Sequence, residues 1–387
     1  MSRLDELIEK LCPNGVEVKK LREVSYMQRG TSLTKAKAVD GDIPVISGGK
    51  EPAFYCNSSN RDGETITVAG SGAGAGYVQY WNIPIFANDC FTVKGNEFTE
   101  TKYLYYFMTN IQDKISDTKK GGGVPHVHIS DVENFSLPVP PLEVQREIVH
   151  ILDYFTLLTA ELTAELTARK KQYELYRDKL LTSNRNIKTV KLGDVCTFVR
   201  GPFGGALKKE IFTTEGYAVY EQQHAIYRNL DFRYHIDKNK FSELKRFAVN
   251  PGDMIVSCSG TIGKTFVIPK NAPEGVINQA LLKLTPNEEL NVFYLQYFFE
   301  NTISKVLNGV ARGGAIKNVP SVSELKLIEL PLPSLSVQKK LVNVLDNFES
   351  ICTDLNIGLP AEIEARQKQY EYYRDLLLTF AETDRQS

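Results

Sequence analysis

The second half of this chain restates the first, and a duplication on that scale constrains the fold more tightly than any single motif. The run Arg169-Lys-Lys-Gln-Tyr-Glu-Leu-Tyr-Arg-Asp-Lys-Leu-Leu-Thr182 returns as Arg366-Gln-Lys-Gln-Tyr-Glu-Tyr-Tyr-Arg-Asp-Leu-Leu-Leu-Thr379, identical at 11 of 14 positions. Upstream, Pro138-Val-Pro-Pro-Leu-Glu-Val-Gln145 returns as Pro331-Leu-Pro-Ser-Leu-Ser-Val-Gln338, and Leu152-Asp-Tyr-Phe155 returns as Leu345-Asp-Asn-Phe348. Fainter echoes precede these: Lys20-Leu21 with Lys191-Leu192, Gly63-Glu64 with Gly252-Asp253, and Tyr103-Leu104 with Tyr294-Leu295. Matching ends around dissimilar middles are what two copies with one architectural role and two different ligands would show.

From Leu152 a seven-residue pattern runs through Phe155, Thr159, Leu162, Leu166, Arg169, Tyr173, Tyr176 and Leu180, which predicts a long amphipathic helix. Pro138 to Pro141 precede its start, and Ser183-Asn184 mark its end. The copy spans about 336 to 380. It carries Gly358-Leu359-Pro360, which predicts a break or kink. Burying both apolar stripes predicts antiparallel packing of the two helices, with a globular domain at either end. The expected segments are a domain over 1–142, a helix over 143–186, a second domain over 187–335, and a second helix with tail over 336–387. From 152 to 180 the first helix is about 40 Å long, close to the roughly 34–36 Å between half-sites one DNA turn apart. Within it Thr159-Ala-Glu-Leu162 repeats as Thr163-Ala-Glu-Leu166 and begins again at Thr167-Ala168. One such unit changes the helix by about 6 Å, so Thr159, Leu162, Thr163 and Leu166 read as a spacer that sets a gap.

A length of 387 residues suits two cores rather than one, and 42% hydrophobic with 24% charged residues excludes a disordered or fibrous chain. No apolar run approaches the roughly 18 residues of a membrane span, and the N-terminus is charged, so no membrane partner and a cytoplasmic location are expected. Six scattered cysteines without a C-x-x-C pair exclude a disulfide framework and a zinc module. The net charge of −1 hides a local positive excess over 190–335, about three charges, so charge alone decides nothing. Gly70-Ser-Gly-Ala-Gly-Ala-Gly76 lies between two strand-like runs and reads as a hairpin, not as a phosphate cradle opening onto a helix. Ser259-Gly-Thr-Ile-Gly-Lys-Thr265 has Cys258 where a P-loop needs its first glycine. His126-Val-His128 lacks further ligands at metal spacing, so no metal is expected. No hydrolase, metalloprotease or amino-methyltransferase motif is present, and the chain reads as non-catalytic.

The Pro-rich entry into each helix, the repeated Lys-Gln-Tyr-Glu-x-Tyr-Arg-Asp ending and the Thr-Ala-Glu-Leu units together resemble the specificity subunit of type I restriction-modification enzymes, over essentially the whole chain. The resemblance implies an α+β fold: two tandem α/β target-recognition domains separated by two long antiparallel coiled-coil helices with pseudo-two-fold symmetry. It implies that each domain reads one half of a bipartite sequence in double-stranded DNA. It also implies that the helices set the spacing and dock two methyltransferase subunits, which restriction subunits can join. S-adenosylmethionine, ATP and Mg would then be used by those partners, in a complex that is a DNA adenine methyltransferase and ATP-dependent endonuclease. The competing readings are a coiled-coil scaffold spacing two protein-binding domains and a P-loop-like phosphohydrolase.

Two glycine-rich basic stretches occupy matching places, Lys119-Lys-Gly-Gly-Gly123 and Ala311-Arg-Gly-Gly-Ala-Ile-Lys317. Glycines permit close backbone approach while Lys119, Lys120, Arg312 and Lys317 can neutralise phosphate, so both read as DNA-facing loops. Base reading needs forked side chains, for which the second half offers Gln222, Gln223, His224, Arg228 and Arg233, with Arg200, Lys208 and Lys209 earlier and Lys264 at a phosphate. The first half offers Arg29, Lys35, Lys37, Lys50 and Arg61, with Tyr55 and Tyr77 for stacking.

Overall fold

A computed structural model describes residues 3–121, 123–182, 187–259, 261–310 and 320–380. By contacts the chain divides into two units, Met1–Ala164 with Ala361–Ser387, and Glu165–Pro360. These do not follow the expected segments. Each unit takes the first part of its own long helix and completes itself with the end of the other one. The first division falls between Ala164 and Glu165, inside the second Thr-Ala-Glu-Leu tetrapeptide.

The duplication extends to the strand order. In the first unit a four-stranded antiparallel sheet runs Ser25–Arg29, Cys90–Gly95, Glu64–Ala69, Val78–Asn82. The second unit repeats it as Cys196–Arg200, Leu281–Pro286, Met254–Ser257, Thr265–Val267. Three-stranded sheets also correspond: Ile43–Ile46 pairs antiparallel with Phe54–Cys56 and parallel with Phe86–Ala87, as Tyr217–Tyr220 does with His235–Ile236 and Gly275–Ile277. A short ribbon closes each unit, Glu17–Lys20 on Ser136–Val139 and Thr189–Lys191 on Glu329–Pro331. The β-branched run Thr65-Ile-Thr-Val68 is buried on both faces, which is why it forms a central strand.

Helices Thr101–Asn110 and Val292–Val310 bury Tyr103, Leu104 and Met108, and Tyr294, Leu295 and Phe299, in the two main cores. Tyr103 and Tyr294 each donate a hydroxyl hydrogen bond to a proline carbonyl, Pro138 at 3.0 Å and Pro331 at 2.8 Å. That fixes the Pro-rich segments on the cores. The glutamine ending each segment is wholly buried. Gln145 Nε2 donates to the carbonyls of Phe98 (2.9 Å) and Pro140 (2.7 Å), and its Oε1 accepts from the Glu100 N–H (2.9 Å). Gln338 does the same to Glu289 (2.9 Å) and Pro333 (2.8 Å), accepting from Asn291 N–H (2.7 Å).

The first helix is continuous over Leu142–Leu181. The second is broken into Leu335–Thr353 and Leu359–Leu377. Asp354 Oδ1 accepts from Asn356 N–H at 2.7 Å in the break, and a Cβ on Gly358 would lie 2.6 Å from the Ser350 carbonyl oxygen. Pro360 falls in the first turn of the next helix, where a missing N–H costs nothing. Among the described residues no helix is long and apolar enough to cross a membrane.

Candidate nucleic-acid interface

In the first unit the antiparallel pair Glu64–Ala69 and Val78–Asn82 makes Gly70–Gly76 a hairpin loop, as the sequence predicts. Three other segments converge on it. His126 pairs with both Ser71 and Lys120, and the Val127 N–H donates to the Gly70 carbonyl, so the Lys119–Lys120 stretch is stitched to the glycine loop. On another side, Gln79 Nε2 donates to the Lys50 carbonyl at 2.5 Å, and the Lys50 ammonium lies 5.1 Å from the Tyr77 ring centre. Arg29, at the end of the edge strand, shares a cleft of about 180 Å³ with Gly70, Asn88, Asp89, His126 and His128. The loop bearing exposed Lys35 and Lys37 starts here too, its Leu33 N–H donating to Asn88 Oδ1 at 2.9 Å.

Two candidates of this unit are otherwise engaged. Arg61 is a correction: its Nε donates to Thr92 Oγ1 (2.9 Å), and its terminal nitrogens to the carbonyls of Asn60 (2.7 Å) and Arg29 (2.9 Å). The fork meant for a base is spent holding strands together. Lys120 pairs with the carboxylate of Asp131, whose pKa is held below the ordinary range chiefly by that hydrogen bond. Lys119 is exposed beside it.

In the second unit Arg200 again ends the edge strand, followed by Gly201, whose added Cβ would overlap the Asn278 carbonyl oxygen. The loop beyond carries exposed Lys208 and Lys209, and a ring not anticipated from sequence, Phe203, 95% exposed. Gln222 and Gln223 open the short helix Gln222–Tyr227. The Gln222 amide donates to the Ser259 carbonyl and accepts from the Ser259 hydroxyl (3.0 Å), so it stands on the loop of the second hairpin. Gln223 Nε2 donates to the Asp231 carbonyl at 3.2 Å.

His224 and Arg228 are the main corrections here. His224 is wholly buried, with Nδ1 accepting from the Glu221 N–H at 2.8 Å and Nε2 at 3.1 Å from the Asp231 carbonyl. Burial pushes its pKa down and leaves a neutral core imidazole with no nitrogen for a base. Arg228, at the left-handed C-cap of the helix (φ 53°), donates to both oxygens of Glu300 (3.1 and 3.2 Å) and to the Thr265 carbonyl (3.3 Å). It therefore clamps that helix onto Val292–Val310 and the sheet edge. Arg233 is likewise paired with Glu221. Arg228 and Lys264 line a cavity of about 430 Å³ with Lys170, Arg177, Glu300 and Glu349. Arg312 and Lys317 lie outside the described residues.

The profile of a family described as the type I restriction modification DNA specificity domain matches the chain twice, over residues 13–169 and 184–365. This chain belongs to that family. A putative type I restriction enzyme specificity subunit of Haemophilus influenzae is 32% identical, covering 97% of this chain and 98% of that one. A type I restriction enzyme specificity subunit of Escherichia coli is 28% identical over 98% and 97%. A chain of a type I restriction-modification assembly, solved for complex assembly and conformational transition, shares the fold with a TM-score of 0.61 at 18% identity, over 95% and 98% of the two chains. The HsdS subunit of Thermoanaerobacter tengcongensis does so at 0.53 and 18%, over 95% and 97%. The fold is thus that of type I specificity subunits, with two target-recognition domains and long helices.

The specificity-subunit fold also explains the repeated motifs, whose partners sequence reasoning missed. In the first unit Phe155 of the first Leu-Asp-x-Phe stacks on Tyr373 of the second Lys-Gln-Tyr-Glu run, with ring centres 5.3 Å apart. In the second unit Phe348 meets Tyr176 at 6.0 Å. Leu378 joins the first core and Leu181 the second. Each copy of one motif is the counterpart of the other copy of the other, so both must be kept for either unit to close.

Proposed function

We propose that the chain is the sequence-specificity subunit of a cytoplasmic type I restriction-modification complex, each unit reading one half of a bipartite double-stranded DNA sequence. The observation that carries this is the pairing of one strand order with two differently loaded loops: Arg29, Lys50 and Lys119 around a glycine hairpin in one unit, Arg200 and Gln222 beside a serine hairpin in the other, with Lys208 and Lys209 exposed on the loop that follows Arg200. Lysines and arginines there neutralise phosphate while the glutamines and arginines are suited to base edges. The helices bind two methyltransferase subunits, which restriction subunits join; S-adenosylmethionine, ATP and Mg serve the adenine methylation and ATP-dependent cleavage performed by those partners.

Thr159, Leu162, Thr163 and Leu166 set the gap in this proposal. Thr159 and Thr163 hydroxyls return to carbonyls one turn back, Phe155 at 2.9 Å and Thr159 at 2.8 Å, and the two leucines are only half-buried. Nothing in that stretch is wedged into a core, so one tetrapeptide can be removed without emptying one. Methylome sequencing of cells expressing the chain with its partners should show a split motif. Deleting residues 163–166 should change the gap and leave both half-sites as they were; an unchanged gap overturns the spacer role.

A further inference from the structure

His126 and His128 have no part in the reading developed so far. They sit two residues apart on an extended segment, so both rings leave on the same side while Val127 between them is buried. Both rings are exposed and nearly parallel, 8° between planes with centres 6.0 Å apart. Both line the cleft that Arg29, Asn88 and Asp89 also line. The backbone of the segment is pinned by the Ser71 and Lys120 pairings of His126 and by the His128 N–H donated to Asp131 Oδ2 at 3.0 Å, so the chain that carries the imidazoles is in place before any ligand arrives. At the matching place of the second half the sequence reads Val319-Pro320-Ser321, with no imidazole, so the pair marks the first unit alone.

We propose that His126 and His128, with Arg29, read base edges of the half-site bound by the first unit. Two features of the cleft select this role among the ways a protein meets DNA. The Asp89 carboxylate, which accepts from the Ser71 hydroxyl, stands in the same cleft and repels phosphate. It suits a base amino group such as that of cytosine. The ring separation decides the mode of contact. A base inserted between two rings needs about 6.8 Å, twice the roughly 3.4 Å stacking distance, and 6.0 Å does not admit one. The imidazoles therefore present their nitrogen edges, each able to donate or accept, rather than a slot for an intercalated ring.

The inference rests on the specificity-subunit reading, and the test separates the two. The full chain and its His126→Ala, His128→Ala and doubly substituted forms are expressed with their methyltransferase partners, and the methylated motif of each is read by methylome sequencing. The expected result is a motif in which one half-site becomes degenerate at one or two positions, by about 10-fold or more in relative occupancy of the disfavoured bases, with the other half-site and the gap unchanged. His126→Gln and His128→Gln, which retain an edge donor and acceptor, should shift the preferred base instead of erasing it. A wild-type bipartite motif left unaltered by the double substitution overturns the inference alone. Absence of any bipartite motif from the wild-type chain overturns the reading beneath it.

Discussion

Replacing Gln145 by Ala should cost the first unit about 3 kcal/mol. The side chain is wholly buried and makes three hydrogen bonds, two donated to Phe98 and Pro140 carbonyls and one accepted from the Glu100 N–H. Each such bond contributes about 1 kcal/mol net, and stranding its buried partner costs about as much or more. Because Gln338 makes the same three bonds to Glu289, Pro333 and Asn291, its replacement should weaken the second unit by a similar amount. Urea unfolding of the full chain gives the energies, and amide hydrogen exchange gives the location: Glu100 N–H should lose protection in one variant and Asn291 N–H in the other. At about 2–4 °C per kcal/mol, a midpoint shift of roughly 6–12 °C is expected for the affected unit. A loss below about 1 kcal/mol in either variant, or loss of protection at neither amide, would refute the idea that these glutamines key the helices to the cores.

Three further outcomes follow from the geometry. The neutral buried His224 has a folded pKa below its unfolded value of about 6.5, so only the unfolded state gains a proton as the pH first drops below that value. Stability from this site is thus complete above about pH 6.5 and lost as the pH falls through the folded value; a His224→Gln variant should flatten that part of the midpoint-against-pH curve, and an unchanged slope would contradict the assignment. Arg228→Ala should lower stability by about 1 kcal/mol, reduced from a buried pair because the side chain is 44% exposed, while both half-sites of the methylated motif stay intact; a relaxed half-site would return Arg228 to the DNA. Gly201→Ala drives a Cβ into the Asn278 carbonyl and should cost about 2 kcal/mol or more, whereas Gly205→Ala, with open space around it, should change thermal stability by no more than about 0.5 kcal/mol; equal effects would show that the loop yields.

The duplication, the long helix with its Pro-rich entry, the interruption at Gly358-Leu-Pro360 and the hairpin nature of Gly70–Gly76 were all legible in the residues, because each rests on local chemistry. Proline cannot donate, glycine permits tight turns, and apolar periodicity reports which face is buried. The side chains left for DNA were not legible in the same way. Arg61, His224 and Arg228 carry the chemistry of base readers, yet a hydroxyl, two carbonyls and a carboxylate from 31 to 72 residues away had already claimed two of them, and burial had claimed the third. His126 and His128 passed for a failed metal pair until the Ser71 and Lys120 pairings placed them beside Arg29.

The sequence by itself determined that there are two copies of one architecture and where their helices begin and break, since repeats and backbone-restricting residues act through neighbours along the chain. Only the tertiary structure decided which helix end completes which unit and which polar side chains remain unspent. Partnership between residues 218 and 172 positions apart, Phe155 with Tyr373 and Tyr176 with Phe348, depends on where packing brings the chain together and leaves no local trace.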